Sequence, residues 1–196
     1  MKIVLATHNA HKVTELQGIL KRGLGNHELI GYDGPEPVED GDTFEANALI
    51  KARAAFAHTG LPALADDSGI CVDALGGAPG IHSARYAGTR DDADNVDLVL
   101  RNLAEQHATS IPQRVAQFVC VAAFVWDGGE AVERGVWPGR ILDSRVGVAG
   151  FGYDPIFKPD DAAVSAAELT ADQKNALSHR TQAFGAILPA VRAALG

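Results

Sequence analysis

Short β-branched runs alternate along this chain with stretches whose apolar residues recur every three or four positions. Residues 2–6 (Lys-Ile-Val-Leu-Ala) form an apolar, β-branched-rich run that predicts a strand, and Val13, Leu16 and Leu20 follow at helical spacing. Residues 27–32 predict a second strand, and residues 33–42 form a loop rich in proline, glycine and acids. Thr43 is placed to cap a helix carrying Phe44, Ala48, Ala52 and Ala55 on one stripe and ending near Gly60. Short strands are expected on either side of Asp66 and Asp67. Val96, Val99, Leu100 and Leu103 mark another helix. Residues 115–126 and 131–137, joined through Asp127, Gly128 and Gly129, read as a long hairpin. Thr170 and Gln173 have the spacing of a capping box at the start of a short helix, and Phe184, Ile187, Leu188 and Val191 define a last one. Crossovers of the parallel kind together with a hairpin predict an α/β fold with a mixed central sheet flanked by helices.

Composition narrows the partners. The 196 residues suit one domain, 1–196, with a substantial core and no repeats or low-complexity linkers. No apolar run approaches bilayer-spanning length, and the N-terminal run has no signal-peptide character, so a cytoplasmic location and no membrane partner are expected. Cys71 and Cys120 both lie in apolar runs and read as buried free thiols. A net charge of −8 argues against a nucleic-acid polymer as partner, because no general basic surface would meet a phosphate backbone.

Four segments carry candidate chemistry. Asp66 and Asp67 sit where an apolar run ends, followed by Ser68 and Gly69. Side chains alternate along a strand, so two adjacent aspartates cannot both enter one core. Their mutual repulsion needs a positive offset, for which a hard divalent cation is one solution and a solvated turn the other. Thr7, His8, Asn9, Ala10, His11 and Lys12 link the first strand to the first helix. A helix N-terminus attracts anions, and Lys12, unfavourable against the helix dipole, makes sense if a phosphate lies there; a surface lysine is the alternative. Gly147, Gly150 and Gly152 surround Phe151 and Tyr153. Such a loop either presents an aromatic face to a base or plugs the core. Lys174, His179 and Arg180 gather titratable groups in an acidic chain, suited to oxygen-rich ligands or to a solvated helix end.

Taken together, these segments resemble the inosine/xanthosine triphosphate pyrophosphatases. The resemblance covers essentially the whole chain, from Thr7–Lys12 through Thr43-Phe44-Glu45-Ala46-Asn47-Ala48 with Lys51, to Asp66-Asp67-Ser68-Gly69. It continues through Leu75-Gly76-Gly77-Ala78-Pro79-Gly80, Ser83-Ala84-Arg85-Tyr86, Trp137-Pro138-Gly139, Phe151-Gly152-Tyr153-Asp154-Pro155 and Ser178-His179-Arg180. Two positions depart from the family pattern: Thr181 follows Arg180 where glycine is usual, and Ala149 fills a slot often held by glycine. The resemblance implies an elongated sheet, two lobes with the active cleft between them, and a homodimer.

It also implies Mg²⁺-dependent hydrolysis of non-standard purine nucleoside triphosphates (ITP, dITP, XTP) to monophosphate and pyrophosphate. On that reading Glu39 and Asp67 hold Mg²⁺, with Asp66 a further ligand or adjacent support, and Asp67 orients or deprotonates water. Lys12, Lys51, Arg85, Lys174 and the amides around Thr7, His8, Asn9 and Ser68 take the phosphate chain. Arg180, with His179, donates to the C6 oxygen that distinguishes hypoxanthine and xanthine from adenine. Phe151 stacks on the ring, Gly152, Tyr153 and Asp154 belong to the same substrate-binding loop, and contacts around Asp154 reject the 2-amino group of guanine. Two alternatives stay open: a pyrophosphatase for ordinary or pyrimidine nucleotides, and a nucleotide-binding regulator without turnover.

Overall fold

The structure, a computed structural model, describes residues 1–20 and 23–196. Among the described residues, six strands and five α-helices follow in the order β1 (Lys2–Leu5), α1 (Ala10–Leu20), β2 (Glu28–Gly31), α2 (Phe44–Thr59), β3 (Ala63–Val72), α3 (Asp92–Glu105), β4 (Val115–Trp126), β5 (Gly129–Ile141), β6 (Phe157–Pro159), α4 (Ala171–Leu177) and α5 (His179–Leu195). The strands form one sheet in the order β2-β1-β3-β4-β5-β6. β1 pairs in parallel with both β2 and β3, whereas β5 and β6 are antiparallel, so the sheet is mixed as expected.

Two departures from the sequence expectation concern this sheet. The aspartates do not separate two short strands; they lie inside the single strand β3. β5 runs on past residue 137, where the strand is expected to end, through Pro138 and Gly139, and Gly139 and Ile141 pair with Pro159 and Phe157 of β6. Proline lacks an N–H, but the carbonyl of Pro138 still accepts from the amide of Asp160 at 3.0 Å.

The chain divides into two compact units. The first comprises Met1–Asp67, Cys120–Gly135 and Ser178–Gly196, and its core joins Ile3, Leu5, Leu16 and Leu64 to Phe124, Phe184 and Ile187. The second comprises Ser68–Val119 and Val136–Leu177, with a core of Ile70, Val99, Leu103, Trp137, Ile141 and Phe157. Cys120 is buried as expected, whereas Cys71 is only half-buried because it lies toward the edge of the core, and neither cysteine is in a disulfide.

Helix starts follow local chemistry. Thr43 accepts from the amide of Ala46 at 3.1 Å to cap α2, and Gly60 closes it in the left-handed region at φ 66°. Asp91 caps α3, and Ser178 caps α5 by accepting from the amide of Thr181. Gly135 of β5 passes so close to the first turn of α5 that a Cβ there would strike the His179 carbonyl and the Ala183 amide. No described helix is long and apolar enough to cross a membrane.

Candidate active site

β1 and β3 are paired at Val4↔Ala63 and Leu5↔Leu64. Just beyond, β1 gives way to the turn into α1 while β3 continues into Asp66 and Asp67, so both aspartates emerge beside the carboxyl end of a parallel neighbour. Ligands of open α/β sheets gather at such ends. Both aspartates are buried, and because consecutive strand residues face opposite ways each meets a different set of cations.

Asp66 faces a buried ion network. Its Oδ2 accepts from Lys12 Nζ at 2.9 Å, Arg180 Nε lies 3.5 Å from the same oxygen, and Arg180 Nη1 reaches Glu15 at 2.9 Å. The network thus ties β3 to α1 and to the first turn of α5. Burial alone would push the Asp66 carboxyl up, but Lys12, Arg180 and Lys51 outweigh it and hold the group well below the usual carboxylate range. Cys120 Sγ also approaches Asp66 Oδ2, at 3.9 Å. Burial, reinforced by the Asp66 charge, pushes that thiol up and keeps it protonated.

Asp67 faces the ammonium of Lys51, which it shares with Glu39. Lys51 Nζ lies 3.3 Å from Asp67 Oδ1 and 3.2 Å from Glu39 Oε2. Burial tends to lower the Lys51 value, and the three carboxylates Asp67, Asp66 and Glu39 more than reverse it. For Asp67 the balance goes the other way. Burial, with help from Glu39 and Asp66, raises its carboxyl despite Lys51 and Lys12. The other carboxylate oxygen, Asp67 Oδ2, is buried with no hydrogen-bond partner among the described residues, as is Asp66 Oδ1.

Helix α2 positions this second set. Asn47 and Lys51, one helical turn apart, share a face. Asn47 Oδ1 accepts from the Gly41 amide at 2.9 Å, and the neighbouring Lys51 holds Glu39 in the same loop. The loop's earlier half is pinned by Tyr32 Oη donating to the Pro35 carbonyl at 3.1 Å and by the His8 ring at 3.1 Å from the Gly34 carbonyl. An acidic loop that reads as irregular is therefore held in place, with Glu39 delivered to Lys51.

The turn from β1 into α1 differs from the simple anion cradle expected there. Asn9 is the cap of α1: its Oδ1 accepts from the amides of His11 at 3.0 Å and Lys12 at 3.2 Å. The Asn9 amide in turn donates to Thr7 Oγ1 at 3.2 Å. Three of the amides that would cradle a phosphate are thus used within the turn itself. Thr7 is half-buried, while His8, Asn9, Ala10 and His11 are exposed.

In the second unit, Asp154 organises the glycine loop. Its Oδ2 accepts from the Phe151 amide at 2.9 Å and from Lys174 Nζ at 2.7 Å, and that ammonium stands 4.9 Å from the centre of the Phe151 ring. Gly150, at φ 75°, leaves no room for a Cβ beside the Asp154 carboxylate. Tyr153 plugs the core as an aromatic residue should, and its buried hydroxyl donates to the Ser83 carbonyl at 2.8 Å. Burial, aided by Asp92 and Tyr86, pushes that hydroxyl far up, so it stays a donor. Phe151 by contrast is only half-buried. Ser68 continues β3 and is half-buried, and Arg85 is exposed at the end of the short 3-10 helix Gly80–Arg85.

Comparison with known proteins decides what this arrangement belongs to. The model of the Ham1 family matches residues 3–190. The chain belongs to the Ham1 family. A dITP/XTP pyrophosphatase of Leifsonia xyli subsp. xyli is 56% identical over 195 residues, covering 98% of this chain and 96% of that protein. A protein of the same name from Streptomyces coelicolor is 48% identical over 201 residues, covering 100% and 99%. Among solved structures, a HAM1 protein of Coxiella burnetii superposes with a TM-score of 0.88 at 41% identity, covering 99% of this chain and all of that one.

Within this Ham1 chain, the two positions that depart from the family pattern are locally unstrained. Thr181 lies inside α5, where its amide donates to Ser178 Oγ at 3.3 Å, and left-handed backbone is not required. Ala149 donates to the Ala167 carbonyl at 3.0 Å, again without positive φ.

Some residues that shape the site escaped sequence reading. Glu15, half-buried, pairs with Arg180, and its only sequence signal is its spacing of one turn from Lys12 on α1. Asn47, Cys120 and Asp92 have no signal beyond a helix stripe, an apolar run and an acidic helix start. Conversely, Arg180 and Lys174, read as ligand-binding cations, are each held by a carboxylate of their own unit.

No group of three or more His, Cys, Asp or Glu stands ready as a complete metal cage among the described residues. Two carboxylates against one ammonium, one of them with an unpartnered buried oxygen, nevertheless suit Mg²⁺. That ion takes one or two protein carboxylates and completes its shell with waters and substrate phosphates.

Proposed function

We propose that this chain hydrolyses the non-standard purine nucleoside triphosphates ITP, dITP and XTP to the monophosphate and pyrophosphate, with Mg²⁺ as cofactor. One observation carries the reading: buried Asp67, with an oxygen to spare, shares Lys51 with Glu39 in a chain whose full-length relatives are named dITP/XTP pyrophosphatases. Glu39 and Asp67 are the residues we assign to the metal. Asp66 is assigned to their support, because its Oδ2 is already claimed by Lys12 and Arg180. When bound, Mg²⁺ would offset phosphate charge and make a coordinated water more acidic.

The protein's own groups do the rest. Phosphoryl transfer depends on positioning and charge neutralisation, with water attacking in line at the α-phosphorus as the bond to the bridging oxygen breaks. Asp67, its carboxyl raised by burial, is suited to take the water proton on Oδ2. Lys12, Lys51, Arg85 and Lys174, with Ser68 and the Thr7–Asn9 turn, are proposed to neutralise or bind the phosphate chain. For Lys12, Lys51 and Lys174 this means sharing the ammonium with a carboxylate already in contact.

For the base, Phe151 is proposed to stack and Arg180 with His179 to donate at C6. The long 3.5 Å contact between Arg180 Nε and Asp66, against 2.9 Å to Glu15, marks Asp66 as the partner Arg180 would yield. Adenine presents an amino group there, setting donor against donor. A homodimer in the cytoplasm is the setting we propose for the activity.

A panel of ITP, dITP, XTP, dUTP and dTTP, assayed for pyrophosphate with Mg²⁺ and with chelator, separates the readings. The expected result is Mg²⁺-dependent pyrophosphate release from the first three. Turnover of the pyrimidine nucleotides at equal efficiency would favour a general pyrophosphatase, and binding without any release would favour a regulator.

A further inference from the structure

We propose that Asp92, the first residue of α3, is a positioning residue that sets the aromatic face of Phe151 for the nucleobase. The inference rests on the reading that Phe151 stacks on the base. Asp92 Oδ2 accepts from the amide of Gly152 at 2.7 Å, across sixty positions of sequence. The adjacent amide, that of Phe151, is accepted by Asp154 Oδ2 at 2.9 Å. Two carboxylates therefore fix the two peptide groups on either side of the Phe151 Cα, one from α3 and one from the loop itself. Charged acceptors make the stronger class of hydrogen bond to a backbone N–H, so these two contacts define the plane in which the ring stands.

The same helix end grips the loop a second time. Arg145 Nη2 donates to the Ala93 carbonyl at 3.0 Å, and its Nη1 lies 2.8 Å from Asp97. The exposed stretch from residue 143 to residue 150 is thus anchored on α3 at its start by Arg145 and at its end by Asp92. Gly152 adopts φ 61°, a conformation that glycine accepts at no steric cost, inside a turn that the Asp154 amide closes on the Phe151 carbonyl at 3.3 Å. The Asp92 carboxylate adds a restraint on that turn from α3. A carboxylate at a helix N-terminus also favours the helix dipole, and Asp91 rather than Asp92 is the cap of α3, so the helix start is secured without it. What Asp92 provides is a direct bond from α3 to the peptide next to Phe151, beyond the Arg145 anchor at the start of the stretch. Pre-ordering a stacking face lowers the ordering cost of binding, so its loss appears in KM and not in the chemical step.

The test uses the full-length protein and four variants: D92A, D92N, F151A and the double D92A/F151A. The D92A variant is expected to raise KM for ITP about fivefold to tenfold with kcat within about threefold of the parent. D92N, which keeps a carbonyl acceptor, is expected to recover most of the loss. In the F151A background, D92A is expected to add no further increase, because the face that Asp92 positions is gone. Hydrogen exchange at the Gly152 amide, expected to be at least about tenfold faster in D92A, reports the contact without reference to activity. Faster exchange with an unchanged KM would overturn the proposal, as would a lowered melting temperature as the sole effect. An unaltered KM in F151A would overturn the stacking reading itself, and the role of Asp92 with it.

Discussion

Replacing Asp67 with asparagine is expected to lower kcat for ITP by more than about a hundredfold and to leave the melting temperature unchanged or slightly higher. The two halves of this expectation share one cause. Burial raises the Asp67 carboxyl, so its ionised form is held in the folded protein at a cost that the neutral amide does not carry. Lys51, the cation facing it, keeps Glu39 at 3.2 Å after the change. What disappears is the charge that binds a hard cation and the basic oxygen that takes a proton from water. A D67N protein that retains kcat within about tenfold of the parent at saturating Mg²⁺ would remove Asp67 from the chemistry.

The neighbouring residue is expected to behave in the opposite way. D66N should destabilise the fold by about 3–5 kcal/mol, because breaking a buried ion pair strands the charge left behind. Lys12 and Arg180 are those charges, with side chains only 15% and 5% exposed, and Arg180 would keep Glu15 at 2.9 Å as a carboxylate partner. The sign follows from the carboxyl's downward displacement: folding favours ionised Asp66, and an amide at that position forfeits the gain. For a chain of this size such a loss lowers the melting temperature by roughly 6–20 °C. Thermal unfolding followed by circular dichroism measures it directly. A shift of less than about 2 °C would mean that the network stabilises little beyond its own desolvation cost.

These opposed expectations for adjacent aspartates mark how far the sequence could be read. The long strand β4 is legible because its apolar run, interrupted at Gln117, extends from Val115 to Trp126. The α2 helix was legible because Thr43, the alanine stripe and Gly60 all agree. β3 was not read as one strand, since Asp66, Asp67, Ser68 and Gly69 have the chemistry of a turn. Only the cations brought by α1, α2 and α5 make that sequence tolerable inside a sheet, and such pairings are set by tertiary structure. The requirement that something positive meet both carboxylates was visible, whereas the identity of the partners was visible only in part. Lys12 and Lys51 were singled out for phosphate, yet each is first the counter-ion of an aspartate. The glycine loop followed the same course. Its glycines and aromatics were evident, but Asp92, which fixes Gly152, lies far away on a helix whose acidic start looks like ordinary dipole chemistry.

The function proposed for this chain is the conversion of non-standard purine nucleoside triphosphates to monophosphate and pyrophosphate. The most direct measurement is kcat/KM for pyrophosphate release from dITP and from dATP, in one buffer with Mg²⁺, with orthophosphate assayed alongside. A missed hydrogen bond at a buried polar reader costs enough that dITP should exceed dATP by at least about a hundredfold, with pyrophosphate and dIMP appearing in equal amounts. Equal efficiencies for the two nucleotides, or orthophosphate as the first product, would contradict the account.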